Sequence, residues 1–372
     1  MKKFGVLLLA FALALSCLAG CGGNNETPST GKTDPAPADN SSQGNTNTQE
    51  PAATSAAPSG RLVIYTASAT GHYEAAVEQF NNLYPDIEVE VVSAGSGELA
   101  SRITAEGENA QGDVMWGGSY ATYANIADYL MEYVTPESEN FYPEYVSSDA
   151  RFTAVQINVN TIIVNNGLLS SLGAEVTGWE SLTDPVLKGN IAYADPSSAS
   201  SALEQLVNML TSMSPTDNPD DGWDFVESFM RNLDGKVASS SSAIFNGVVS
   251  GEYAVGITNE EKVLENMFAG ADVSPVYAKE GITLRNSYCA LIKNCANEEN
   301  AKLFIDFLAS YDFQNWCAEN LYMRSVRKDV SFKIDGVVST GDLPSTPYPI
   351  EWADGNSSNL KTTWQDKLTS LS

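Results

Sequence analysis

Residues 61–119, RLVIYTASATGHYEAAVEQFNNLYPDIEVEVVSAGSGELASRITAEGENAQGDVMWGGS, decide the fold class. Residues 61–65 are a short β-branched run. From 73 to 83, Ala76, Val77, Phe80 and Leu83 recur with helical spacing until Pro85 ends the pattern. Residues 87–92 alternate as a strand does, 98–106 are helical in spacing, and 113–116 form another brief strand. Short strands alternating with helices predict βαβ units, a mostly parallel sheet and an α/β fold. No repeat of fixed period competes with this reading.

Downstream, residues 151–165, RFTAVQINVNTIIVN, form an extended segment too long for one small sheet, which predicts a crossing into a second lobe. Beyond it come a helix at 179–187, a strand at 190–193, a loop of small hydroxyl residues, helices at 202–213 and 223–232, and a strand at 252–258. Residues 282–292, ITLRNSYCALI, are the expected return crossing, followed by an amphipathic helix at 297–308 with Ala301, Phe304, Ile305 and Leu308 on one face. The expected organisation is lobe 1 at 61–154 and 274–321, lobe 2 at 155–273, and a C-terminal segment at 322–372 packed on the lobes.

Upstream, Met1-Lys2-Lys3 and an apolar stretch to Leu18 read as a signal peptide over 1–20, too short to span a bilayer. Leu18-Ala19-Gly20-Cys21 resembles a bacterial lipobox, which implies that Cys21 is acylated and becomes the mature N-terminus. The alternative is an ordinary secretory peptide with incidental cysteines. Residues 21–60 hold almost no large apolar side chains, so they cannot offset the entropy of ordering and are expected to be a leash.

The formal net charge of −27 argues against nucleic acid as a partner and suits a soluble exported protein. Cys289, Cys295 and Cys317 match no zinc or catalytic spacing; they read as plain thiols, with a Cys289–Cys317 bridge as the minor alternative.

Five segments, LVIYTAS at 62–68, VVSAGSGELASRITAEGENAQGDVMWGGS at 91–119, AYADPSSASSALEQL at 192–206, SSSSAIFNGVVSGEYAVGITNEE at 239–261 and NEENAKLFIDFL at 297–308, resemble the type II periplasmic binding-protein fold. The resemblance is to the branch that holds ferric-ion, organophosphate and phosphonate binders of ABC importers. It implies two lobes joined by two hinge crossings, a small ligand held between them, delivery to an importer permease, and no chemical turnover. A monomer without a cofactor is expected.

The same residues suit an anionic ligand. In 93–98, Ser93, Gly95, Ser96 and Gly97 mark a turn where a strand ends and a helix starts, and helix N-termini present unpaired N–H groups with partial positive charge. Gly117, Gly118 and Ser119 repeat this after the next strand. The loop 195–201, with Asp195, Ser197, Ser198 and Ser200, offers a third turn in the other lobe. Each turn alone is more often a simple N-cap; together, at the strand ends where open α/β sheets hold ligands, they predict one shared cleft. Ser68, Thr258 and Glu260, at or just beyond two other strand ends, complete the candidate set.

Several residues carry two readings. The ferric branch ligates with adjacent tyrosines where this chain has Asn259, Glu260 and Glu261, which argues against iron; no metal-ligating set is expected. Glu260 either accepts hydrogen bonds from the ligand or sits on a solvated helix start. His72 reads as a partly exposed helix-start residue. Arg151 and Arg285 are candidate anion forks or surface ion pairs. Tyr65, Tyr120, Tyr193 and Phe245 either stack on ligand or pack the cores. A hydrolase lacks support, with one His and neither HExxH nor a GxSxG elbow. An extracytoplasmic sensor shares the leader and leash.

Overall fold

The computed structural model describes residues 57–371. The leader, Cys21 and all but the last residues of the leash lie outside them. The chain runs β1 (Gly60–Thr66), α1 (Thr70–Leu83), β2 (Ile87–Ser93), α2 (Ser96–Glu106), β3 (Val114–Trp116) and α3 (Tyr120–Asn125). Next come β4 (Thr153–Asn165), α4 (Asn166–Leu172), β5 (Ile191–Ala192), α5 (Ser200–Ser212), α6 (Trp223–Leu233), α7 (Ser241–Val249), β6 (Val255–Asn259), α8 (Glu260–Phe268) and β7 (Val273–Val276). It ends with β8 (Ile282–Leu291), α9 (Glu298–Ala309), α10 (Tyr311–Asn320), β9 (Ser345–Thr346) and α11 (Ile350–Leu371).

β1 pairs in parallel with β2 and β3, and β8 joins β3 antiparallel. Alternation along β1 explains why residues 62–65 are apolar at every position: Leu62 and Ile64 face a core with Phe80, Trp116 and Phe304, while Val63 and Tyr65 face a second core with Leu99, Ile103 and Met115. Helices on both sides therefore cover one sheet.

The two crossings are β4 and β8. The first half of β4 pairs antiparallel with β8, Asn158 opposite Arg285 and Gln156 opposite Ser287. Its second half pairs with β6 and β7, and β5 lies parallel to β6. One strand is thus shared by two sheets, which gives the two-lobed type II periplasmic binding-protein architecture.

The expected helix at 179–187 is instead two 3-10 turns, Glu180–Thr183 and Pro185–Leu187. Pro185 has no N–H to continue the first turn, and Asp184 caps the second by accepting from the Val186 N–H. Buried Trp179 anchors the segment by donating from Nε1 to the Gly281 carbonyl at 2.8 Å. Beyond α10 the chain returns along β4 through an Ile157–Arg324 bridge, pairs β9 with β8, and packs α11 on α5 and α6. Cys289, Cys295 and Cys317 are free thiols. No helix among the described residues is long and apolar enough to cross a membrane.

Candidate functional site

Five helices begin at one cavity of about 390 Å³. From lobe 1 it is lined by Ala67, Ser68 and Ala69 before α1, by Gly95 and Ser96 at α2, and by Gly117, Gly118 and Ser119 before α3. From lobe 2 it is lined by Ser200, Ser201 and Glu204 of α5, and by Asn259 and Glu261 at α8. Gln156, Asn158, Asn286 and Ser287 of the crossings form its floor, and Met323 and His72 complete it.

At each of these five starts the N-cap residue, Ala69, Gly95, Ser119, Ala199 or Asn259, makes no side-chain capping bond. α4 and α10, which begin elsewhere, are capped by Asn165 and Ser310. An uncapped start is not by itself a site, since α7 and α9 also lack one. Convergence is what distinguishes these five, because first-turn N–H groups and helix dipoles then add at one place.

The lobe-1 turns fit together only because two residues lack a Cβ. Gly117 and Gly118 have φ of 94° and 103°; a Cβ would come within 3.0 Å of the Ala67 backbone at the first and within 2.9 Å of Ser96 Cβ at the second.

Among the described residues, no Lys or Arg lines the cavity. Its ionisable side chains are His72, Glu204 and Glu261. Burial lowers His72 to about 4, so its imidazole is neutral at pH 7. Burial pushes both glutamates up, opposed at Glu204 by Arg285 and at Glu261 chiefly by a backbone N–H, with Lys262 and the Asn259 amide adding to it. Any positive potential at the lobe-1 wall therefore comes from backbone N–H groups.

Of the sequence-derived candidates, Ser68, Gly95, Ser96, Gly117, Gly118, Ser119 and Ser200 come together here. Ser93 ends β2 exposed, and Gly97 faces a different depression beside Ala100 and Thr104, where a Cβ would meet open space. Asp195, Ser197 and Ser198 lie off the lining. Asp195 accepts from the Ser197 N–H at 2.8 Å and from Gln365 Nε2 of α11 at 2.7 Å, and the Ser198 hydroxyl donates to the Asp195 and Ser239 carbonyls. Thr258 is buried opposite Thr161 within the sheet.

Glu260 is neither solvated nor in the cavity. Both its oxygens are held by Arg324, Nε at 2.6 Å and Nη2 at 2.7 Å, and Tyr277 also donates to it. His72 is buried rather than partly exposed, edge-on to Trp116 and stacked on Phe313. Arg151 pairs with Asp149 at 2.5 Å. Tyr65 and Tyr193 are fully buried in the cores, and Tyr120 and Phe245 pack against them; none of the four lines the cavity.

Sequence reading missed Gln156 and Asn158, although polar residues at every second position of an apolar crossing strand are a signal for one polar face. It also left out Glu204, Asn286, Ser287 and Met323, and its candidate set took Glu260 in place of Asn259 and Glu261. Nothing local separates two adjacent glutamates at a helix start.

Residues 62–320 match the family model for bacterial extracellular solute-binding protein. The chain is 26% identical over 268 residues to an uncharacterized protein of Haemophilus influenzae, spanning 70% of this chain and 76% of that one. It is 25% identical over 276 residues to iron uptake protein A1 of Synechocystis sp., spanning 70% of this chain and 74% of that one. Among solved structures it is similar to the periplasmic binding protein AfuA from Actinobacillus pleuropneumoniae with exogenous fructose-6-phosphate bound, at 25% identity and a TM-score of 0.71, covering 83% of this chain and 98% of that one.

Proposed function

The chain belongs to the bacterial extracellular solute-binding protein family, and on that premise we propose that it captures a small organic phosphate or phosphonate between its lobes and delivers it to an ABC importer. The observation that carries the ligand class is the convergence of the three lobe-1 helix starts, at α1, α2 and α3, on one wall of a cavity that, among the described residues, has no lysine or arginine in its lining. Such a wall suits a compact anion with several acceptor oxygens, because each first-turn N–H makes a charge-assisted bond that water would otherwise take. The opposite wall, with Glu204, Asn259 and Glu261, suits the hydrogen-bond donors at the other end of an organic anion. A structural relative with fructose-6-phosphate bound is consistent with both. The working motion is closure of the lobes by bending at β4 and β8, in a monomer without turnover.

Ferric ion is the second reading, favoured by the iron uptake relative. Against it, among the described residues no tyrosine lines the cavity and no group of three or more His, Cys, Asp or Glu is arranged to hold a metal.

Calorimetric titration against hexose phosphates, glycerol phosphates, aminoethylphosphonate, polyamines, neutral sugars and ferric salt separates these. Tight binding of a phosphorus compound is expected. Binding of a polyamine or neutral sugar alone, or a ferric complex with a visible phenolate band, would reject the anion reading.

We further propose that Cys21 carries a lipid anchor and residues 22–60 the tether, supported by Leu18-Ala19-Gly20-Cys21. Cys21→Ala should release the protein from membranes; retention after a salt wash overturns this.

A further inference from the structure

Glu204 lies one turn into α5 and lines the cavity, its side chain about a quarter exposed at 26%. Its Oε1 is 3.3 Å from Nη2 of Arg285, a residue of the crossing β8. Arg285 is itself buried, faces Asn158 of the cavity floor in strand register, and lies over the Tyr348 ring at 3.8 Å. Its Nη1 is buried with no partner. Asp354 of α11 acts on the same guanidinium through space. Glu204 is the carboxylate within ion-pair distance of Arg285 among the described residues.

We propose that Arg285 is a positioning residue that acts through Glu204 to make the lobe-2 wall accept neutral hydroxyl donors rather than an ammonium group. The ligand class thereby narrows, within the anion reading given above, to a hydroxyl-bearing organic phosphate. A partly desolvated carboxylate needs a positive partner, and here the protein supplies one from behind. Glu204 lines the cavity, and the lone pairs that Arg285 does not use can accept from a hydroxyl at no further charge penalty. An ammonium at the same place would meet the like charge of Arg285 in a medium that screens weakly. The cation–π contact with Tyr348 favours this placement of the guanidinium.

Binding of glycerol 3-phosphate, glucose 6-phosphate and 2-aminoethylphosphonate is measured by calorimetry on the whole protein and on variants. The wild type should prefer the hydroxyl compounds by about tenfold or more. Arg285→Gln should move the ratio toward aminoethylphosphonate by about tenfold, and Arg285→Lys should restore it. Glu204→Gln, which keeps the side-chain volume and a carbonyl oxygen toward Arg285, should move the ratio the other way. On the Glu204→Gln background, Arg285→Gln should move it toward the ammonium compound by less than in the wild type, because only the direct repulsion is then removed. A merely structural role would weaken all ligands alike. An unmoved ratio in Arg285→Gln, or in Glu204→Gln should Arg285→Gln fail to fold, overturns this inference while leaving the anion reading standing. A wild type that binds none of the three overturns both.

Discussion

The two walls of the cavity use serine and glycine differently. In lobe 1 the turns after β1, β2 and β3 point their helix starts inward, and Gly117 and Gly118 let the third turn close on the other two. In lobe 2 the loop 195–201 is equally rich in hydroxyls, yet its polar groups are largely consumed: Asp195 by the Ser197 N–H and Gln365, Ser198 by two carbonyls. Only its end, Ser200 and Ser201, reaches the ligand space. A hydroxyl-rich stretch offers donors to a ligand only where the fold has not already spent them. Glu260 and Glu261 repeat the lesson at neighbouring positions, one locked to Arg324 and the other lining the cavity.

The largest expected effect separates those two glutamates. Arg324→Ala leaves Glu260 buried without its cation, which should reduce stability by about 3–5 kcal/mol in urea denaturation while the affinity of the folded fraction changes little. A large loss of affinity at constant stability would mean that the pair belongs to the site after all.

Next is the pH response of the lobe-1 wall. His72 ordinarily titrates near 6.5 and is lowered to about 4 by burial, so between these values the unfolded chain holds a proton that the folded chain does not. Stability therefore falls as pH drops through that window, by up to about 3 kcal/mol at pH 4. His72→Phe should show a correspondingly shallower decline between pH 6.5 and pH 4; an equal decline would mean that His72 is protonated in the fold.

Ser96→Ala removes a lobe-1 hydroxyl but keeps the backbone N–H groups, and should weaken phosphate binding by about 1.5–3 kcal/mol, ten- to a hundredfold. Ser198→Ala, in the lobe whose hydroxyls are consumed, should change affinity by less than about 0.5 kcal/mol. Equal effects in the two titrations would erase the difference between the walls.

Much of this was legible in the sequence because it is local. The strand and helix periods around 61–119, the stop at Pro85 and the double glycine at 117–118 each follow from a few neighbouring residues. The helix α11 was not legible: ADGNSSNLKTT is poor in helix formers, and the segment is helical because Ala353, Leu360 and Trp364 are buried in a core to which α3, α5 and α6 contribute. The burial of His72 likewise depends on Trp116 and Phe313, far along the chain.

By itself, then, the sequence determined the α/β class, the two long crossings and the lobe-1 turns, since hydrophobic period and glycine conformation act over a few residues. The tertiary structure alone decided which of two adjacent glutamates faces the cavity, that the 195–201 loop is tied to α11, and that Arg285 stands behind Glu204. Those outcomes depend on partners 64 to 170 positions apart, such as Arg324 for Glu260 and Gln365 for Asp195, which only the folded chain brings within hydrogen-bonding distance.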